Sequence, residues 1–223
     1  MSAQISGELT LTLPEGWWLI GLEDDEERIG AVEAIVAATF PSEGPGARFR
    51  KAFVRDLLDM TAKAAHGGAL ALAMSVAGPG SGTVPASLTI VRIPGASVRK
   101  DGGVRLAARL LAGNSPGVSV DRAECRFGPV VRRVRVTTET MSPAPDGPTP
   151  ESLVVDYWLE PEPGKGLLSL VFASPLPDMR ESLLDLFDAI VASVGVLPDA
   201  RETSGPEIND GRVDAPSSAV ARS

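Results

Sequence analysis

The sequence predicts an α+β domain over residues 5–196: a bent antiparallel sheet of about six to eight strands, packed by an N-terminal helical pair and a C-terminal helix. Three observations carry that expectation. Segments that alternate apolar and polar residues with period two recur along the chain, separated by Gly- and Pro-rich turns. Two early stretches, 23–36 and 47–66, instead space their apolar residues as one face of a helix. Residues 152–194 then read as strand, tight turn, strand, Pro-bounded loop and amphipathic helix, and such a helix folds back onto its sheet.

Glu8 to Leu13 alternates as a first strand, Pro14-Glu15-Gly16 turns, and Trp17 to Leu22 returns, so a hairpin is expected. The acidic run Glu23 to Glu27 opens a helix that continues through Ile29, Val32, Ile35 and Val36. Carboxylates belong at that end, where the first-turn N–H groups carry partial positive charge; a docking site for a basic partner is the other reading. Pro41 to Gly46 is a loop. The second helix, about Ala47 to His66, sets Phe49, Phe53, Leu57, Met60, Thr61 and Ala64 on one face and stops at Gly67-Gly68. Ala69 to Ala77 and Ala86 to Ile93 form a hairpin across a Gly- and Pro-rich loop. A short basic helix is expected over Gly103–Ala112, then strands Val118–Phe127 and Val130–Thr138 joined at Gly128-Pro129, then a proline-rich loop from Glu139 to Glu151.

In the closing cassette, Leu153, Val155, Tyr157 and Leu159 share one face of a strand, with Val154, Asp156, Trp158 and Glu160 on the other, which reads as half-buried. Leu167 to Phe172 is almost continuously apolar, so that strand is central or covered on both faces. Pro175 and Pro177 end it, and Asp178 is expected to cap the next helix with Glu181 as its capping-box partner. Met179, Leu183, Leu186, Phe187, Ile190, Val191 and Val194 form its apolar stripe, while Arg180, Glu181, Asp185 and Asp188 fall off it, which makes Asp188 dispensable. Residues 197–223 turn polar and rich in Gly, Pro and Ser, and a disordered tail is expected.

The string YWLEPEPGKGLLSLVFASPLPDMRESLLDLFDAIVASV resembles the end of proteins with the PsbP-like fold, and LTLPEGWWLIGL resembles the opening hairpin of that group. The superfamily also includes a Ran-binding nuclear import factor, actinobacterial lipoproteins and the Eag-type chaperones of bacterial secretion. The resemblance implies a bent antiparallel sheet closed by a C-terminal helix. Because these are packing motifs and carry no active site, it implies a scaffold, chaperone or small-protein binder. The excess of arginine over lysine, with abundant Ala and Gly, fits a GC-rich bacterial genome.

Composition removes several function classes. A net charge of −8 argues against nucleic acid or an anionic membrane as principal partner. One Cys, Cys125, rules out an intramolecular disulfide, and one His, His66, rules out a three-histidine metal site. The opening MSAQISGELT lacks the basic and apolar regions of a signal peptide and has no lipobox Cys. No apolar run approaches the ~20 residues that span a bilayer. A cytoplasmic protein without cofactor or metal is therefore expected, of open oligomeric state, unlike the lipoprotein members of the superfamily.

The remaining candidates divide between dull and functional readings. His66 precedes Gly67 at a helix end, where an imidazole meets the last carbonyls. Cys125 runs in phase with Ala123 and Phe127 as a small buried hydrophobe. Gly78-Pro79-Gly80-Ser81-Gly82 lacks the Lys-Ser/Thr ending and the following helix of a phosphate loop, so it reads as a hairpin loop. Arg122, Arg126, Arg132, Arg133 and Arg135 form the densest basic cluster. Arg133 and Arg135 share a face, while Arg132 falls in phase with Val130, Val134 and Val136. Adjacent Trp17 and Trp18 point to opposite faces of a strand, and Trp158 lies on the more polar face of its own. Trp17, Trp18, Trp158, Arg133 and Arg135 are therefore the candidate partner-binding residues, aromatic anchors with charged groups beside them, weighed against burial in the core. The expected function is a non-catalytic protein- or peptide-binding module, an adaptor or chaperone-like factor. The resemblance to Eag-type chaperones implies a secretion-related setting. A small-ligand carrier using the concave sheet face, or an enzyme with an unrecognised carboxylate or arginine site, are the alternatives.

Overall fold

The computed structural model describes residues 2–5, 8–40, 47–75, 84–97, 118–138 and 151–197. The expected helix at Gly103–Ala112, the Gly78–Gly82 loop, the Pro41–Gly46 and proline-rich loops and the tail beyond 197 lie outside the described residues. In chain order come β1 (Ser2–Ile5), β2 (Leu9–Thr12), β3 (Trp17–Gly21), α1 (Asp25–Thr39) and α2 (Ala47–His66). They are followed by β4 (Ala69–Ser75), β5 (Ala86–Ile93), β6 (Ser119–Cys125), β7 (Gly128–Thr138), β8 (Glu151–Leu159) and β9 (Leu167–Ser174). A 3₁₀ turn (Pro177–Met179), α3 (Arg180–Ala192) and β10 (Gly195–Val196) complete them.

Seven strands pair antiparallel in the order β3-β4-β5-β9-β8-β7-β6, with helices packed on the sheet, so the fold is α+β. The apolar run of β9 places it between β5 and β8, as predicted. A second sheet, β1-β2-β10, has three strands. Here the hairpin expectation fails. β2 and β3 do not pair: β2 is bracketed by β1 and β10, while β3 pairs with β4 at the edge of the large sheet. Alternation marks a strand but does not name its partner, and the turn at Pro14 carries the chain from one sheet to the other. Leu197 N–H donates to the Glu8 carbonyl (2.7 Å), continuing the pairing of β10 with β2 by one residue.

The two faces of the large sheet are covered differently. On the inner face, Leu88 and Ile90, Leu170 and Phe172, and Val155 and Tyr157 join Ile5, Leu9 and Leu11 of the small sheet and Leu183, Phe187 and Ile190 of α3 in one cluster. On the outer face, Ile20 and Leu72 lie under Val32, Ile35 and Val36 of α1 and Leu57 of α2. Asp24 caps α1, accepting from the N–H groups of Glu26 and Glu27 (both 2.8 Å), so the acidic run starts the helix as predicted. Val32, Ile35 and Val36 face the sheet as expected, and only the first turn differs. Ile29 is exposed and Arg28 is buried, its stem in the interface and its guanidinium bonded to Asp25 (2.7 Å) and Thr61 (3.3 Å).

At the other end, Asp178 caps nothing. It sits inside the 3₁₀ turn, Met179 precedes α3 with no side-chain cap, and Met179 is exposed, off the expected stripe. Pro177 starts the turn one step early, which displaces Asp178 from the capping position. Gly166, with φ +91°, ends the β8–β9 turn where a β-carbon would strike the Ile93 carbonyl, a close approach only glycine permits.

Phe187 is fully buried, stacked on Phe172 with centroids 4.3 Å apart and planes 18° apart. Phe187→Ala should cost about 3–5 kcal/mol, as core aromatic truncations do, whereas Ile29→Ala should cost under ~1 kcal/mol. Urea midpoints of the two variants check this ordering; coincident midpoints would mean that α3 is not held by this stack.

Candidate functional site

Strand register decides which predicted site residues meet. Val131 lies opposite Trp158, Arg133 opposite Asp156 and Arg135 opposite Val154, so Trp158, Arg133 and Arg135 share the outer face of β7 and β8. Arg133 Nε donates to Asp156 Oδ2 at 2.8 Å and Arg135 Nε reaches the same oxygen at 3.4 Å. The Arg133 guanidinium stands 5.2 Å from the centroid of the Trp158 ring, within cation–π range. Asp156 is only 3% exposed and needs such partners, since a buried carboxylate without them is costly. Two guanidinium groups on one carboxylate leave a surplus positive charge at a half-buried surface.

The exposed-anchor reading of the tryptophans is corrected by burial. Trp158 packs against Val131 and Leu167 at 8% exposure, and Trp17 lies in the inner core at 6%. Trp18 is half-buried beside the helical pair, so the two adjacent indoles do point to opposite faces. β8 is covered on both sides rather than half-buried: Val154, Asp156, Trp158 and Glu160 are all buried. Glu160 accepts from Ser97 Oγ (2.6 Å) and from the Gly164 N–H (3.3 Å). Trp17 and Trp18 also stand four strands away from Trp158, roughly 19 Å at the usual strand spacing, so the five residues do not form one patch.

His66 stands at a helix end as expected, whereas Cys125, expected to be buried, is half-buried. His66 Nδ1 lies 3.3 Å from the Ala62 carbonyl in the last turn of α2, and half-buried Cys125 accepts from the Phe127 N–H at 3.4 Å. Among the described residues no group of three His, Cys, Asp or Glu side chains could hold a metal ion.

Sequence reasoning missed two features. The first is a polar junction on the inner face. Asp188 accepts from Tyr157 Oη (2.7 Å) and from Arg132 Nη1 (2.6 Å), and Arg132 Nη2 reaches Asp121 at 3.3 Å. Asp188 is therefore not dispensable: it lies off the apolar stripe but beside its edge, where the tip of Tyr157 emerges. The signal was the presence of Arg132 and Tyr157 on faces otherwise apolar, since buried polar tips require partners. Burial and the bond to Asp188 hold the Tyr157 phenol well above its ordinary pKa. Burial works to lower the Arg132 pKa, but Asp188 beside it outweighs that and the net shift is upward.

The second is a groove along α2. Phe53, Leu57 and Met60 form its wall, Met74 of β4 contributes from the sheet, and Asp56, Asp59 and Lys63 stand at its rim. It is open to solvent, has a volume of about 690 Å³, and Met60 is 39% exposed within it. The rim carboxylates are paired along the helix, Asp56 with Arg55 (2.8 Å) and Asp59 with Lys63 (2.6 Å). The sequence placed Phe53, Leu57 and Met60 on the apolar face of a helix, but nothing in it showed that this face extends past the sheet it covers.

Fold and site together define an α+β protein with a two-faced sheet, an open apolar groove and an arginine–aspartate cluster. No protein-family model matches the chain, and no curated protein matches it. Among solved structures it is similar to LpqN, described as involved in cell envelope biogenesis of Mycobacterium tuberculosis. The identity is 14% over 85% of this chain and 83% of that one, with a TM-score of 0.44. A likeness at that level carries no functional argument.

Tyr157→Phe should cost about 1 kcal/mol near neutral pH by removing the bond to Asp188. Because the folded-state pKa of Tyr157 is raised, its contribution is full below the ordinary tyrosine value of about 10 and is lost as pH climbs above it. The stability gap between wild type and Tyr157→Phe, read by urea denaturation, should therefore shrink above that pH; a constant gap would sink the assignment.

Proposed function

We propose that this chain is a non-catalytic protein-binding module, an adaptor or chaperone-like factor, that holds a segment of another protein in the α2 groove. The observation that carries the reading is the groove itself: Phe53, Leu57, Met60 and Met74 form an apolar, solvent-open surface. Methionine and phenylalanine suit an adaptable contact, because the unbranched thioether repacks around different side chains at little cost. An open trough favours a polypeptide over a small ligand, which binds best where most of its surface is enclosed. The Arg133–Arg135–Asp156 cluster, on the same outer face, supplies donors that would orient an acidic group of the same partner. A PsbP-like ancestry, a secretion-related role and a cytoplasmic setting belong to this proposal. The sheet closed by a C-terminal helix is the arrangement the resemblance implies.

Met60→Glu tests it. Met60 is partly exposed, so the melting temperature should stay within a few degrees while a photo-crosslinker at position 53 or 74 loses its adducts in the native host. Adducts that persist unchanged in Met60→Glu would overturn the groove as the binding site.

A further inference from the structure

β3 ends the large sheet, and among the described residues no strand pairs with its outer edge. Leu22 N–H donates to the Leu70 carbonyl at 3.0 Å, and the register runs from there through Ile20↔Leu72 and Trp18↔Met74. Antiparallel bonding alternates along a strand, so these residues exchange bonds with β4, while Trp17, Leu19 and Gly21 turn their backbone groups away from it. The Trp17 N–H is taken by the Pro14 carbonyl (3.4 Å). Leu19 and Gly21 form no backbone hydrogen bond on that side among the described residues. Gly21 is exposed, and a β-carbon there would meet nothing within 4 Å.

Exposed edges are usually blunted by charge. On the opposite edge, β6 carries Asp121, which is exposed and paired with Arg132. β3 reads Trp-Trp-Leu-Ile-Gly and carries no charge. Carboxylates stand instead at its two ends, exposed Glu15 before it and Glu23 to Glu27 after it. Of these, Asp24 is committed to the helix cap and Asp25 to Arg28, while Glu15, Glu23, Glu26 and Glu27 form no ion pair among the described residues.

From this edge we infer a second interaction surface, at which β3 accepts an extended segment of another protein as an added strand, apolar at its centre and carrying Lys or Arg at both ends. The unpaired Leu19 and Gly21 groups supply the ladder, and the flanking carboxylates select the basic ends. A second copy of this chain fits less well. Pairing β3 with its own twofold mate through Leu19 puts Trp17 opposite Gly21, and by the same register Glu23 opposite Glu15, like charge against like. The surface is independent of the α2 groove.

The test uses the full chain and a short synthetic peptide of alternating Val and Thr with Lys-Arg at each end, followed by amide exchange and chemical shifts. The expected result is about tenfold slower exchange at the Leu19 and Gly21 amides, weakened as salt rises. A peptide with Glu-Glu ends, and one whose alternate amides are N-methylated, should give no such protection. Leu19→Pro removes one edge donor while leaving the bonds to β4, and should abolish the effect. The charge reversal Glu23→Lys with Glu27→Lys leaves the strand untouched and should do likewise for the basic-ended peptide. Equal protection by the acidic-ended peptide, unchanged binding in both variants, shifts confined to the α2 groove, or dimerisation of the free chain through β3 would each overturn the proposal.

Discussion

The stacking of Phe187 on Phe172, with Tyr157 edge-on to Phe172 at 5.6 Å, is the contact on which the rest of the architecture rests. It joins α3 to the two central strands β9 and β8, and every other closure follows from the position of that helix. With Phe187 seated, Asp188 one residue on meets Tyr157 and Arg132, and the chain leaving α3 reaches β2 to form β10. The small sheet then has a third strand and an apolar face to share with the large one. A helix without that anchor would leave the inner face of β5, β9 and β8 exposed, at a cost that scales with the apolar area uncovered.

Coverage of the outer face has a different consequence. α1 and α2 lie over the β3–β4 end, while Val131, Trp158 and Leu167 form a separate small cluster toward β7. Large aromatic residues near the surface of a sheet are drawn into such clusters because their burial returns more than any other side chain's. Trp17 and Trp158 are lost as anchors for that reason. What faces outward is instead a helix wall with methionine and phenylalanine, a pair of arginines on a shared aspartate, and one uncharged sheet edge.

These surfaces share a chemical character. Apolar area, backbone hydrogen-bond groups and fixed charges are the groups that the proposed polypeptide partner would use. The perturbed tyrosine and arginine of the inner face belong to the junction that docks α3, where a phenol held neutral donates to a carboxylate and an arginine completes the pair. Structural ion-pair networks perturb pKa values as active sites do.

Much of the fold was legible in the chain because local periodicity is enforced by local geometry. The alternation of Leu153 to Leu159, the continuous run from Leu167, the helical stripe around Phe187, the acidic start of α1 and the stop at Gly67-Gly68 depend only on neighbours within a few residues. By itself the sequence determined the α+β class, the strands β2 to β9, the three described helices and the central place of β9, but not the short strands β1 and β10. Partnership required the tertiary structure. That β2 joins β1 and β10 instead of β3, that Arg133, Arg135 and Trp158 share one face while Trp17 and Trp18 lie far off, and that Asp188 serves Arg132 and Tyr157 are facts about residues distant in sequence. Periodicity states which way a side chain points; only the register between strands and the seating of helices states what it points at.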